Sequence, residues 1–171
     1  AVYNLIKEGI RVKTATRKFS IKGKEFDYGT YLIPVQNQIM NSEDIYNKLL
    51  EVSNKYNINF ESQSTGITSG IDLGSDYFII VNEPKIGLIV GDGVRSYDAG
   101  EIWHLLDTRY NIPITKLDID DLRYIDLSKY SHIILPDYSG SKLRAEQLKN
   151  YINRGGNLIA YRNSVKWVSN N

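Results

Sequence analysis

From residue 85 onward, apolar positions come in short unbroken runs separated by segments of mixed character: "KIGLIV", "ITKLDI", "HIILP" and "NLIAY". Runs this short and this rich in Ile, Leu and Val read as strands buried on both faces. Between them, residues 99–110 place Ile102, Leu105 and Leu106 on one helical face, and residues 142–153 do the same with Leu148, Tyr151 and Ile152. Gly155 and Gly156 follow the second helix as a left-handed stop. Strand and helix in alternation predict a parallel sheet covered by helices on both faces, with 86–90, 132–135 and 158–161 running parallel to one another.

The first half has a different rhythm. Residues 2–7 predict a short helix, and the alternating runs "RVKTAT", "KFSIKG" and "GTYLIPV", punctuated by glycines and a proline, predict a small sheet. "NSEDIYNKLLEVSNKYNI" is an amphipathic helix with Ser42 as its expected N-cap, acids in its first turn, and Ile45, Leu49, Val52 and Tyr56 along one core-facing stripe. The glycine-rich stretch 66–74, "GITSGIDLG", reads as a loop before the apolar run "YFIIV", and Pro84 then interrupts the chain. The expected organisation is a smaller α+β lobe over 1–82 followed by an α/β domain over 83–171.

Composition narrows the functional classes. At 171 residues and 42% hydrophobic content, the chain can bury a core. Lys and Arg number 21 against 20 Asp and Glu, so no overall field points to nucleic acid or an anionic membrane as partner. The absence of cysteine removes thiol nucleophiles, disulfides and thiolate metal sites. No apolar run approaches the roughly 20 residues that span a bilayer. The chain starts at Ala1 without Met and enters Val2, Leu5 and Ile6 at once, so it reads as a piece of a longer polypeptide with any targeting signal upstream.

In a parallel α/β sheet, ligands bind beyond the carboxyl ends of the strands. That rule selects the loops 91–98, 137–141 and 162–164, with Gly91, Asp92, Gly93, Ser96, Asp137, Tyr138, Arg162, Asn163 and Ser164 as candidate ligand-binding residues. In "KIGLIVGDGVRSYDAG", Gly91 and Gly93 are followed by Ser96 where a dinucleotide fingerprint has its third glycine. Its N–H groups lie near a helix start, where Ser96 and Asp98 either face an anion or cap the helix. Asp137 is either a carboxylate of the crevice or a turn residue of "PDYSGS".

Asp118, Asp120 and Asp121 lack the spaced ligands of a calcium loop and read as a solvated face or a cap. His104 and His132 have no partner at zinc-ligand spacing and read as structural, so no metal site is expected. Ser164 lies near a strand-to-helix elbow, the place of a hydrolase nucleophile, but it has neither flanking glycines nor a sequence-placed histidine base.

Taken in order, "GTYLIPV", "GIDLGSDYFIIVNEPKIGLIVGDGVRSYDAGEIWHLLD", "HIILPDYSG" and "LKNYINRGGNLIAY" resemble the carboxyl-terminal region of large bacterial zinc carboxypeptidases of the carboxypeptidase A-like superfamily. The resemblance covers most of the chain. It implies a non-peptidase region whose later half is similar to a class I glutamine amidotransferase domain, a flavodoxin-like sandwich. In working members of that class a nucleophilic cysteine follows the strand matching "NLIAY", with a histidine downstream; this chain has Arg162, Asn163 and Ser164 there and no later histidine. The resemblance therefore implies an accessory domain without catalytic residues, zinc held in a preceding peptidase domain of the same polypeptide as its partner, and a periplasmic or secreted setting. A ligand-binding module using the crevice, and an independent hydrolase centred on Ser164 or Asp137, are the alternative functions.

Overall fold

The computed structural model describes residues 1–171. The chain divides into two units, Ala1–Glu83 and Pro84–Asn171.

In the first unit, helix α1 (Val2–Lys7) precedes strands β1 (Lys13–Ala15), β2 (Phe19–Ile21), β3 (Lys24–Phe26) and β4 (Tyr31–Leu32), helix α2 (Ser42–Tyr56) and strand β5 (Phe78–Ile80). The strands form an antiparallel sheet of order β4-β1-β5 and a separate hairpin of β2 and β3. "KFSIKG" is thus only half of a structural element. Lys22 and Gly23 both take positive φ (50° and 80°), as a tight primed turn requires, and send the chain straight back.

The N-cap of α2 is Asn41 instead of Ser42: its side-chain oxygen accepts from the Asp44 N–H at 2.9 Å, and Ser42 is the first helical residue. Ile45 and Val52 are buried as the stripe predicts, but Tyr56, at the end of the helix, is exposed.

In the second unit, β6 (Ile86–Val90), β7 (Ile114–Asp118), β8 (His132–Leu135) and β9 (Asn157–Ala160) form a four-stranded parallel sheet of order β7-β6-β8-β9. Strand register sorts the side chains into two cores. Ile89, Leu117, Ile133 and Leu135 are buried with Leu148 and Tyr151 of helix α4 (Ala145–Asn153) and pack against Trp167 of helix α5 (Asn163–Asn170). Leu88 and Ile134 are buried with Ala99 of helix α3 (Ser96–Trp103), with Ile102 and Leu106 packed alongside. Each such fully buried Leu or Ile contributes about 1.5–3 kcal/mol, which is why the continuous apolar runs become central strands.

Several boundaries differ from expectation for physical reasons. The helix expected over 99–110 begins at Ser96 and gives way after Trp103 to a π-helical segment, His104–Arg109, with Tyr110 N–H donating to Leu105 O at 3.1 Å. The wider winding carries Leu105 off the apolar stripe and leaves it 40% exposed. Helix α4 begins three residues after the expected 142, because the Leu143 N–H donates to the Tyr138 hydroxyl. Ile152 is exposed. Of the two glycines after α4, only Gly155 is left-handed; Gly156 is needed for space, since a Cβ there would sit 2.2 Å from Cζ of Tyr151. The β7 to β8 crossover carries two 3-10 turns, Leu122–Tyr124 and Leu127–Lys129. No helix is long and apolar enough to cross a membrane.

Candidate functional site at the carboxyl edge of the parallel sheet

Within the second unit, β6 occupies an inner position, with β7 on one side and β8 on the other, so successive connections leave it in opposite directions. The place where strand order reverses is where an open α/β sheet ordinarily opens a crevice. Here that place is bounded by the loop after β6, which holds Gly91, Asp92 and Gly93, and the loop after β8, which holds Asp137 and Tyr138.

The two loops are hydrogen-bonded to each other. Val94 and Tyr138 form an antiparallel bridge, Arg95 N–H donates to Asp137 O at 2.9 Å, and Ser139 N–H donates to Gly93 O at 3.0 Å. Gly93 has φ +80°, and a Cβ there would lie 2.5 Å from Cα of Gly140. Tyr138 fills the space beneath: it is 1% exposed, its hydroxyl accepts from Leu143 N–H at 2.9 Å, and its ring meets Trp167 edge-on at 5.9 Å. Backbone pairing and a buried tyrosine close the crevice between these loops.

The third loop joins at the same edge. Asn163 N–H donates to Oδ1 of Asp137 at 3.2 Å. Asp137 therefore acts as a cap for the start of α5, combining both sequence readings of this residue: a turn carboxylate, placed at the crevice edge. The sharp elbow of the chain is Arg162, with φ 51° and ψ −122°, and not Ser164. A non-glycine residue held there costs on the order of 1–3 kcal/mol and persists only where its surroundings over-determine it. They do so here: Tyr161 N–H donates to Leu135 O, Ser164 N–H to Tyr161 O, and Val165 N–H to Arg162 O. Ser164 is fully buried, and its hydroxyl donates to Pro136 O. As placed, this serine is a structural donor that ties the elbow to β8.

Charge is distributed around this closed edge in two groups. The Asp98 side chain is 15% exposed and lies between two arginines, with Arg95 Nε 3.9 Å from Oδ1 and Arg162 Nε 3.6 Å from Oδ2. Ser96, the first residue of α3, is exposed, and the helix has no side-chain N-cap, so neither Ser96 nor Asp98 caps it. Asp92 belongs to the second group: Lys142 Nζ lies 3.5 Å from its Oδ2 and 3.1 Å from Oδ1 of Asp120. The hydrogen bond to Asp120 and the charges of Asp120 and Asp92 hold the Lys142 ammonium above its usual range. Asp118 Oδ1 accepts from Asp120 N–H at 2.9 Å, so part of the acidic trio forms a local turn.

Of the candidate residues, Gly93 packs against Tyr138 and Asn163 is hydrogen-bonded to Asp137, while Ser164 is held by Pro136, Arg162 is paired with Asp98, and Asp92 is joined to the 141–144 segment through Lys142. Arg95 and Lys142 were missed by sequence reasoning. An arginine one residue before a helix and a lysine in a turn have no local signature separating them from ordinary surface charge. His132 Nδ1 is 2.9 Å from the Ser131 hydroxyl. No three His, Asp or Glu side chains are grouped as ligands of one metal ion. Comparison with protein-family models, with curated proteins and with solved structures finds no match to this chain.

Proposed function

We propose that this chain is a non-catalytic accessory domain of a zinc carboxypeptidase, supporting interdomain packing or substrate presentation for a preceding peptidase domain of the same polypeptide. Zinc belongs to that peptidase domain in this reading. The observation that carries the non-catalytic part is the closed crevice: the loops after β6 and β8 are paired through backbone hydrogen bonds over a buried Tyr138. A sheet that spends its ligand-binding edge on internal hydrogen bonds serves as a scaffold. Numbered within the second unit, the strand order is 2-1-3-4, in keeping with a flavodoxin-like, amidotransferase-like architecture of order 2-1-3-4-5. The parent's identity rests on the resemblance of the quoted segments.

The independent hydrolase has little support, since the Ser164 hydroxyl donates to Pro136 O and Asp137 accepts from Asn163 N–H. The ligand-binding reading draws support from one observation outside the closed crevice, the paired arginines on Asp98. The test has two arms. The purified chain, with and without added zinc, is assayed for release of C-terminal residues from peptides, and none is expected. The parent gene is then expressed with and without this segment, and removal is expected to lower the thermal stability or yield of the peptidase domain. Zinc-dependent peptide hydrolysis by the chain alone, or a parent lacking a His-x-x-Glu peptidase motif upstream, would overturn the proposal.

A further inference from the structure

The parallel sheet has two edges, and they are built differently. β7 has Pro113 just before it, an exposed Lys116 at its centre and Asp118 at its end, the devices by which an edge strand keeps other strands away. β9 has no charge and no proline from Asn157 through Tyr161. Asn157 N–H donates to Ser131 O and Tyr161 N–H to Leu135 O, so the odd-numbered residues of β9 turn their backbone groups to β8. The N–H and C=O groups of Leu158 and Ala160 therefore point out of the sheet and make no hydrogen bond within the chain. Apolar side chains flank this edge on both faces. Ile159 is in register with the buried Ile134, on the face that α3 covers farther in, yet it is 39% exposed. On the face that α5 covers through Trp167 and Val168, Val165 of that helix is 55% exposed. A parallel sheet is ordinarily covered on both faces; on the α3 face the cover stops short of β9.

We propose that β9 is the contact strand of a two-fold dimer, pairing antiparallel with β9 of a second copy of this chain. With Ile159 on the axis, each Leu158 stands opposite Ala160 of the other copy as a hydrogen-bonded pair, and every outward N–H and C=O of the two strands finds a partner. The contact is isologous, the same patch meeting itself. Ile159 meets Ile159, Asn157 meets Tyr161 and Arg162 falls opposite Gly156, so the register sets no charge against its like. An axis normal to the sheet keeps the two α5 helices on one face, beside the seam. A lone peptide strand would satisfy the same backbone groups but bring no helix to the Val165 side, whereas a second copy supplies strand and helix together. The inference concerns the outer edge of β9 and does not depend on the accessory-domain reading.

Sedimentation equilibrium of the full chain, from micromolar to millimolar concentration, is expected to show a reversible monomer–dimer equilibrium. Ile159→Lys, which sets two ammonium groups against each other on the axis, is expected to raise the dissociation constant by about tenfold or more. Because the chain has no cysteine, single-cysteine variants report the register itself. A non-hydrogen-bonded antiparallel pair holds its Cα atoms about 4.5 Å apart, within the reach of a disulfide. Ile159→Cys is therefore expected to form a covalent dimer under mild oxidation, and Thr115→Cys, exposed on the guarded edge, to stay monomeric. The crosslink decides the question even where Ile159→Lys lowers the urea midpoint. A chain that stays monomeric throughout would leave the edge to a strand of another polypeptide and overturn the proposal. A dimer in which Thr115→Cys crosslinks as readily as Ile159→Cys, or in which a normally folded Ile159→Lys associates as tightly as the wild type, would overturn it too, by placing the contact elsewhere.

Discussion

Replacing Gly93 by alanine tests the closed crevice directly, and Gly155→Ala supplies its control. Both glycines have positive φ, +80° and +92°. An L-residue in that region costs about 1–2 kcal/mol in either place. At Gly155 a Cβ meets nothing within 4 Å, so the backbone cost is the whole effect. At Gly93 the Cβ would stand 2.5 Å from Cα and 2.7 Å from N of Gly140, and 2.9 Å from Cε2 of Tyr138. Two of those three atoms are backbone and cannot rotate away, so the loops must separate. Overpacking of this kind costs about 1–3 kcal/mol. Separation also weakens the Ser139 to Gly93 and Arg95 to Asp137 hydrogen bonds, each worth about 0.5–1.5 kcal/mol net.

Gly93→Ala should therefore be less stable than Gly155→Ala by roughly 2–4 kcal/mol, the sum of the clash and the weakened hydrogen bonds. At a urea slope of about 2 kcal/mol per molar, the two midpoints should differ by about 1–2 M. Tryptophan emission is the assay, because the chain's two tryptophans, Trp103 and Trp167, both lie in Pro84–Asn171 and report on that unit. Coincident midpoints for the two variants would show that the loops are not packed against each other, and the reasoning behind the closed crevice would fail.

Ser164→Ala should lower the same midpoint by an amount equivalent to about 1–3 kcal/mol, because the buried Pro136 carbonyl loses its donor, and should leave hydrolysis of an activated ester at the uncatalysed rate. A wild-type ester rate well above background that disappears in this variant would restore Ser164 as a nucleophile. Burial holds the Tyr151 hydroxyl above its ordinary value of 10.0, opposed in part by the hydrogen bond from Asn157 N–H. The folded state thus binds this proton more tightly than the unfolded chain; the stability it contributes is fully present below pH 10.0 and is lost as pH rises through the folded value. Urea midpoints from about pH 8 to about pH 11 should fall more steeply for the wild type than for Tyr151→Phe, and parallel curves would refute the assignment.

What the sequence determined by itself lies in local periodicity. The runs that became β6, β8 and β9 are apolar enough to be recognised without their neighbours, and the stripes of α2 and α4 point to the residues that are buried, Ile45, Val52, Leu148 and Tyr151. The general behaviour of parallel sheets also selected the loops after β6, β8 and β9, and the structure brings them to one edge. The hairpin at Lys22 and Gly23, the π-helical turn and α5 were not legible, since each is short and its pattern spans too few turns to show a period.

The closing of the crevice was decided only by tertiary structure. It depends on backbone hydrogen bonds between Gly93 and Ser139 and between Arg95 and Asp137, residues more than 40 positions apart whose N–H and carbonyl groups leave no mark on residue type. The same holds for Arg162 and Ser164. A left-handed arginine is imposed by contacts to β8, which local preference opposes, and a serine near an elbow reads as a nucleophile until the fold shows its hydroxyl buried against Pro136.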